Sequence, residues 1–211
     1  MIQREVRAVI FDFGNVICLP PTEGQFASGA RAAGLSTPEF VAAFWKDRLG
    51  YDRGEDPSVY WGRIAALAGG PLSASFLQTM IAWEIDLWST FDDRVLAWAR
   101  DLRHVGLKTG ILSNLPRTLG EHLKTRPGFL EHFDHITFSY ELALVKPQPQ
   151  IYHHAVEGLG LAPHEAFFLD DRPENVEGAR AVGLIAHQFT TWERFVEDEL
   201  PAFHLPVPKS A

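Results

Sequence analysis

The chain has 211 residues, 46% of them hydrophobic, enough to bury a full core and to form either one large domain or a core domain with a smaller insertion. Its 19 Lys and Arg against 27 Asp and Glu give a formal charge of −8, and with no basic run anywhere this excludes a general binder of nucleic-acid backbone, whose affinity rests on clustered cations. The one cysteine, Cys18, cannot form an intramolecular disulfide, no apolar run approaches the roughly 20 residues of a membrane-spanning helix, and Met1-Ile2-Gln3-Arg4-Glu5 lacks the apolar stretch of a secretory signal, so a reducing cytoplasm is the expected location.

In chain order, Val6 to Phe11 predicts a buried strand, short and rich in apolar and β-branched residues. No comparable strand follows for about a hundred residues. Instead Gln25 to Ala33, Pro38 to Leu49, Pro57 to Leu67 and Ser73 to Leu87 carry apolar residues at three and four spacing, punctuated by Gly34, Gly54 and Gly69-Gly70. This predicts an all-helical insertion over 19–91, entered through Leu19-Pro20-Pro21 and left through Trp88-Ser89-Thr90-Phe91. After Asp92 helices and strands alternate: helix 94–105, strand 109–112, helix 119–124, strand 135–138, helix 148–159, strand 166–169, helix 174–182 and strand 184–187. Alternation of this kind predicts an α/β fold, a Rossmann-like parallel sheet covered by helices on both faces, built from 1–18 and 92–200. Residues 201–211 hold three prolines and are expected to fray.

Four segments each follow an apolar run: Asp12-Phe13-Gly14-Asn15, Ser113-Asn114, Lys146-Pro147 and Asp170-Asp171. Ligands of such sheets sit outside the carboxyl ends of the strands, so these groups converge on one crevice. Each has an ordinary alternative when taken alone. Asp12 is also a turn cap, Ser113-Asn114 is common turn chemistry, a lysine between strand and helix is normally solvated, and Asp170-Asp171 suits a helix N-terminus. Adjacent carboxylates are nevertheless costly unless a cation holds them, and magnesium needs only a few protein oxygens beside its waters. A bound cation and a lysine also let an acidic chain take a small phosphorylated metabolite.

In that order the four segments resemble the four motifs of the haloacid dehalogenase-like (HAD) hydrolase superfamily, mostly magnesium-dependent phosphatases with an aspartate nucleophile. The first motif, Asp-x-Gly-Asn, is similar to that of some sugar-phosphate phosphatases. The resemblance spans Val6 to Cys18 and Asp92 to His187. It implies Asp12 as nucleophile, Lys146 as the cation between nucleophile and phosphate, Ser113 and Asn114 with Lys146 as phosphate-binding groups, and Mg²⁺ on Asp12, Asp171, Asp170 and the Gly14 carbonyl. The helical insertion matches the family's cap in size and position only. From it, Phe44, Trp45, Tyr51, Arg53, Tyr60 and Trp61 are candidates to face substrate, although aromatics at helical spacing are more often core.

The resemblance departs at Gly14, where most family phosphatases place a second aspartate that protonates the leaving oxygen. General acid catalysis contributes about 10²- to 10⁴-fold. Two routes around the loss are a leaving group of low pKa, such as an anomeric sugar oxygen, or a substitute carboxylate such as Glu23, Asp52 or Glu55. The leading reading is a Mg²⁺-dependent phosphatase of a small metabolite, with a sugar phosphate as the expected substrate, through an aspartyl-phosphate. The alternatives are a 2-haloacid dehalogenase using the same aspartate and a non-catalytic phosphate-binding or regulatory protein.

Overall fold

Strand β1 (Ala8–Phe11) is apolar and buried at every position, as a strand at the middle of a two-sided sheet must be. In the computed structural model, which describes residues 6–203 and 205–208, six helices separate β1 from the next strand, and the first five of them make up the insertion. These are α1 (Glu23–Ala33), α2 (Thr37–Lys46), α3 (Arg48–Asp52), α4 (Pro57–Leu67) and α5 (Ala74–Leu87). Thr22 and Gln25 form a capping box at the start of α1, and Asp56 and Ser73 cap α4 and α5, so the polar residues between the apolar stretches set the helix starts. The helix expected over 38–49 is two: the backbone leaves helical geometry at Asp47 (φ −114°, ψ 23°) and resumes as α3. That break turns Arg48 and Asp52 inward, both buried.

The segments leading into and out of these helices are paired with each other. Cys18 forms an antiparallel bridge with Phe91, Leu19 N–H donates to Thr90 O at 2.9 Å, and Asp92 N–H donates to Ile17 O at 2.8 Å. Cys18 itself is a buried core residue, and burial pushes its thiol up to about 12.

The rest alternates as expected: α6 (Asp93–His104), β2 (Lys108–Ser113), α7 (Arg117–Thr125), β3 (His135–Phe138), the short α8 (Ser139–Leu142), α9 (Pro149–Gly158), β4 (Ala166–Asp170), α10 (Pro173–Ala181), β5 (Ile185–Gln188) and the single-turn α11 (Trp192–Arg194). All strand pairs are parallel, in the order β3-β2-β1-β4-β5. Strand alternation divides the core in two. Val9, Phe11, Ile111, Phe167 and Leu169 pack with α6, α7 and the helical segment, while Ala8, Ile10, Leu112 and Phe168 pack with α9 and α10. Each fully buried Phe or Leu of these layers contributes about 1.5–3 kcal/mol. Because β2 and β4 flank β1 on opposite sides, Asp12 leaves the sheet at its topological switch point, where open α/β sheets form their crevice.

No helix of the described residues is long and apolar enough to cross a membrane. Of the stretch expected to fray, 204 and 209–211 lie outside the described residues, but Leu205 is buried and Trp98 Nε1 donates to Pro206 O at 2.8 Å. Leu205 joins the first core layer and the indole fixes the backbone beside it, so the chain is packed at least that far.

Candidate active site

Asp12 extends the β1–β4 ladder by one bond, its N–H donating to Leu169 O at 2.8 Å, and the chain turns immediately after. Phe13 N–H donates to Asp12 Oδ1 at 2.7 Å, while the Phe13 ring is clamped edge-on by Phe91 and Phe129 with centroids 5.7 and 6.0 Å away. Asn15 sits in the left-handed region (φ 58°), which Asn tolerates better than most residues, and its Nδ2 donates to Asp171 Oδ2 at 2.8 Å. Gly14 is not held to glycine by its backbone. A Cβ there meets only the Trp88 ring, at 3.5 and 3.8 Å, which is ordinary contact.

Lys146 is the hinge of the site. Its Nζ reaches Asp12 Oδ1 at 2.8 Å, Asp170 Oδ2 at 2.6 Å and Leu112 O at 3.0 Å, so all three ammonium donors are used inside the protein. The side chain is 1% exposed, which rules out the solvated lysine that such a sequence position normally holds. The two carboxylates keep it protonated against the cost of burial. Its backbone is pinned from both sides by one amide: Lys146 N–H donates to Asn114 Oδ1 at 2.8 Å and Asn114 Nδ2 donates to Lys146 O at 3.1 Å. The Asn114 side chain therefore serves first to hold Lys146. Gly178 lets α10 close on the same loop, since a Cβ there would fall 2.7 Å from Pro147 and 2.9 Å from the Tyr152 hydroxyl.

The two adjacent aspartates divide sharply. Asp170 is fully buried and accepts from Arg172 N–H, Asn175 Nδ2 and Lys146. Asp171 is half-buried, takes the Asn15 amide, and lines a cavity of about 100 Å³ with Asp12, Gly14, Asn15, Ser113, Asn114 and Lys146. Oxygens of Asp12, Asp170 and Asp171 lie within 4.8 Å of one another. Burial is the main reason Asp12 is pushed up to about 7, against the pull of Lys146, and the charges of Asp170 and Asp171 add to the rise. Asp171 is raised by burial and by Asp170, against the Asn15 hydrogen bond. Three carboxylates at this spacing with one lysine are short of positive charge, and the buried Oδ1 of Asn15 has no hydrogen-bond partner. An all-oxygen donor set with a charge deficit fits a hard divalent cation such as Mg²⁺.

The helical segment closes the cavity with Trp45, Arg48, Asp52 and Trp88. Of the six residues the sequence offered for this role, only Trp45 lines it. Phe44, Tyr51, Tyr60 and Trp61 are core, packed ring on ring, and Arg53 is exposed. Arg48, Trp88 and, from the loop before α10, Arg172 were not anticipated. For Arg48 a signal existed: an arginine in register with the apolar face of its helix, four residues before an aspartate. It is buried against Asp52 (Nε–Oδ1 2.8 Å) and Glu84, and stacks over Phe44 with its guanidinium carbon 4.8 Å from the ring centroid. Two bonds tie this corner to the sheet domain: Ser139 Oγ donates to Asp52 O at 2.5 Å, and the hydroxyls of Tyr51 and Thr118 are 3.0 Å apart.

A family model described as haloacid dehalogenase-like hydrolase matches residues 6–183. Over 185 residues the chain is 27% identical to the sesquiterpene phosphatase astK of Aspergillus oryzae, covering 87% of this chain and 90% of that protein. It is 24% identical over 230 residues to the bifunctional epoxide hydrolase 2 of Mus musculus, covering 96% of this chain but 41% of the relative, so it spans less than half of that protein's length. A crystal structure of a HAD family enzyme from Bacteroides thetaiotaomicron, in complex with magnesium and inorganic phosphate, shares the fold with a TM-score of 0.73 at 20% identity, over 90% of this chain and 98% of that one.

Proposed function

The chain belongs to the haloacid dehalogenase-like hydrolases, and from that premise we propose that it is a Mg²⁺-dependent phosphatase of a small phosphorylated metabolite, working through an aspartyl-phosphate on Asp12. The observation that carries this reading is the bridging of Asp12 and Asp170 by a buried Lys146 at the mouth of the central strand. A carboxylate beside a fixed cation suits a nucleophile that attacks phosphorus. Asp12 attacks phosphorus as the ester oxygen leaves, and water then attacks the aspartyl-phosphate and releases inorganic phosphate. Lys146 orients Asp12 and offsets charge on the phosphoryl group, and the Ser113 hydroxyl holds a phosphoryl oxygen. Asp12, Asp171 and the Gly14 carbonyl, with Asp170 behind them, would hold Mg²⁺, which neutralises charge developing on the phosphoryl oxygens.

Within this class a sugar phosphate suits the far side of the cavity, where Arg48, Asp52 and Arg172 offer partners for hydroxyls and the indoles of Trp45 and Trp88 offer flat faces to a ring. The segment 19–91 acts as the cap that selects it. The test is a phosphate-release screen over phosphorylated metabolites, with Mg²⁺ and with chelator, run beside Asp12→Asn. Release that needs both the metal and Asp12 supports the reading. Release that survives Asp12→Asn, or none from any ester, overturns it.

A further inference from the structure

We propose that Asp52 is the acid–base residue that Gly14 lacks, protonating the leaving oxygen and then accepting a proton from the hydrolytic water. The proposal deepens the phosphatase reading and rests on it. Among the described residues the carboxylates lining the cavity are Asp12, Asp171 and Asp52. The first two belong to the lysine and cation cluster. Of the other substitutes suggested by the sequence, Glu23 opens α1 in an exposed position and Glu55 is paired to Arg63 at 2.6 Å, and neither lines the cavity. Asp52 lines the same cavity as Asp12, Ser113 and Lys146.

Asp52 is also fixed in place. Its carboxylate accepts from Arg48 within one helical turn, and its backbone carbonyl accepts from Ser139 at the end of β3, so the helical segment presents it to the sheet domain on a short leash. A plain counter-ion role for Asp52 leaves a charge unaccounted for. Arg48 already meets Glu84, which is fully buried, so one guanidinium faces two carboxyl groups in an apolar surround. Asp52 is the member of the pair that also lines the cavity, so it is the one placed to exchange a proton with a ligand there. Burial raises both carboxyls. The groups acting on Asp52 are Arg48 from its own helix, Arg172 and Lys146 from the sheet domain, all favouring its ionised form, with Glu84 of α5 and Tyr60 of α4 beside the same guanidinium.

The step balances. As the Asp12 oxygen bonds to phosphorus, the P–O bond to the leaving group breaks, its electron pair stays on that oxygen, and the Asp52 proton goes to it. In the second half Asp52 takes a proton from water as the water oxygen bonds to phosphorus, the P–O bond to Asp12 breaks, and Asp12 recovers its electrons. Asp52 ends protonated again.

The experiment measures kcat/KM with Mg²⁺ for p-nitrophenyl phosphate and for an alkyl phosphate in wild type, Asp52→Asn and the double variant Gly14→Asp/Asp52→Asn. Asp52→Asn is expected to lose about 10²- to 10⁴-fold on the alkyl ester and less than about tenfold on the aryl ester, whose leaving group needs no proton. Gly14→Asp in that background is expected to restore the alkyl ester, because the Gly14 position accepts a side chain. Equal losses on both esters, or an unchanged alkyl rate, overturn the assignment of Asp52 alone. Should Asp52→Asn fail to fold, wild type decides across a series of esters: a shallow dependence of kcat/KM on leaving-group pKa supports a proton donor, and a steep one refutes it. Turnover of both esters surviving Asp12→Asn refutes the parent phosphatase reading instead.

Discussion

Replacing Lys146 with Met keeps most of the stem volume and removes only the ammonium. Three hydrogen bonds go with it, to Asp12 at 2.8 Å, Asp170 at 2.6 Å and Leu112 O at 3.0 Å, and two carboxylates stay behind in a buried place. Removing one partner of a buried ion pair costs about 3–5 kcal/mol, mostly the penalty of the stranded charge. For a chain of this length that is a fall in Tm of roughly 6–20 °C. The loss depends on pH in a definite direction. Asp12 already sits near 7 and rises further without the lysine, so on the acid side it protonates and the penalty shrinks, whereas at about pH 8 the full cost is present. Mg²⁺ neutralises the same carboxylates and is expected to return part of the lost stability. Thermal unfolding of wild type and Lys146→Met at about pH 5.5 and about pH 8, with and without Mg²⁺, measures all of this. A Tm within about 2 °C of wild type at the higher pH, or a larger loss at the lower one, would refute the reasoning.

Three further outcomes follow from the same geometry. Because the folded-state pKa of Asp12 lies above its unfolded value, its contribution to stability is present below about pH 4 and is lost as pH rises through about 7, so metal-free protein is expected to weaken over that window and Mg²⁺ to raise Tm more at about pH 8 than at about pH 5; calorimetric scans at the two values check it. Asp171→Ala is expected to weaken Mg²⁺ binding in titration calorimetry more than it lowers Tm, while Asp170→Ala, which strips the acceptor from Arg172 N–H, Asn175 and Lys146, is expected to lower Tm more; the reverse order would exchange their roles. Gly178→Ala drives a methyl to 2.7 Å from Pro147 and is expected to cost about 1–3 kcal/mol and to lower kcat by shifting the Lys146 loop, against a neutral Gly14→Ala, both read by denaturant unfolding.

The sheet was legible because its strands are short apolar runs at regular spacing, and because the site residues cluster where those runs end. What sequence spacing could not show is which groups face inward from helices that are apolar around much of their circumference. Phe44, Tyr51, Tyr60 and Trp61 are, like Trp45, aromatics on the short helices α2, α3 and α4, yet four are core and one lines the cavity, a choice made by how these helices pack with α5. Arg48 was missed because charge normally marks an exposed face, and here the Asp47 break turns it in toward Glu84. Lys146 shows the opposite limit: its position was evident, but its complete burial depends on Asp170 and Asn114, more than twenty residues away in either direction. Asn114 lines the cavity as its place after β2 suggests, and its side chain also clamps the lysine backbone, a long-range pairing that no local pattern encodes.

Asp12 is the group proposed to become phosphorylated, and the most direct measurement is to catch it in that state. Wild-type protein with Mg²⁺ and a phosphate ester is quenched in acid during turnover, where an acyl phosphate survives, then digested and mapped by mass spectrometry. A phosphoryl adduct on the peptide containing Asp12, absent without metal and absent in Asp12→Asn, is the predicted result. Turnover with no adduct on that peptide, or an adduct on any other residue, would contradict it.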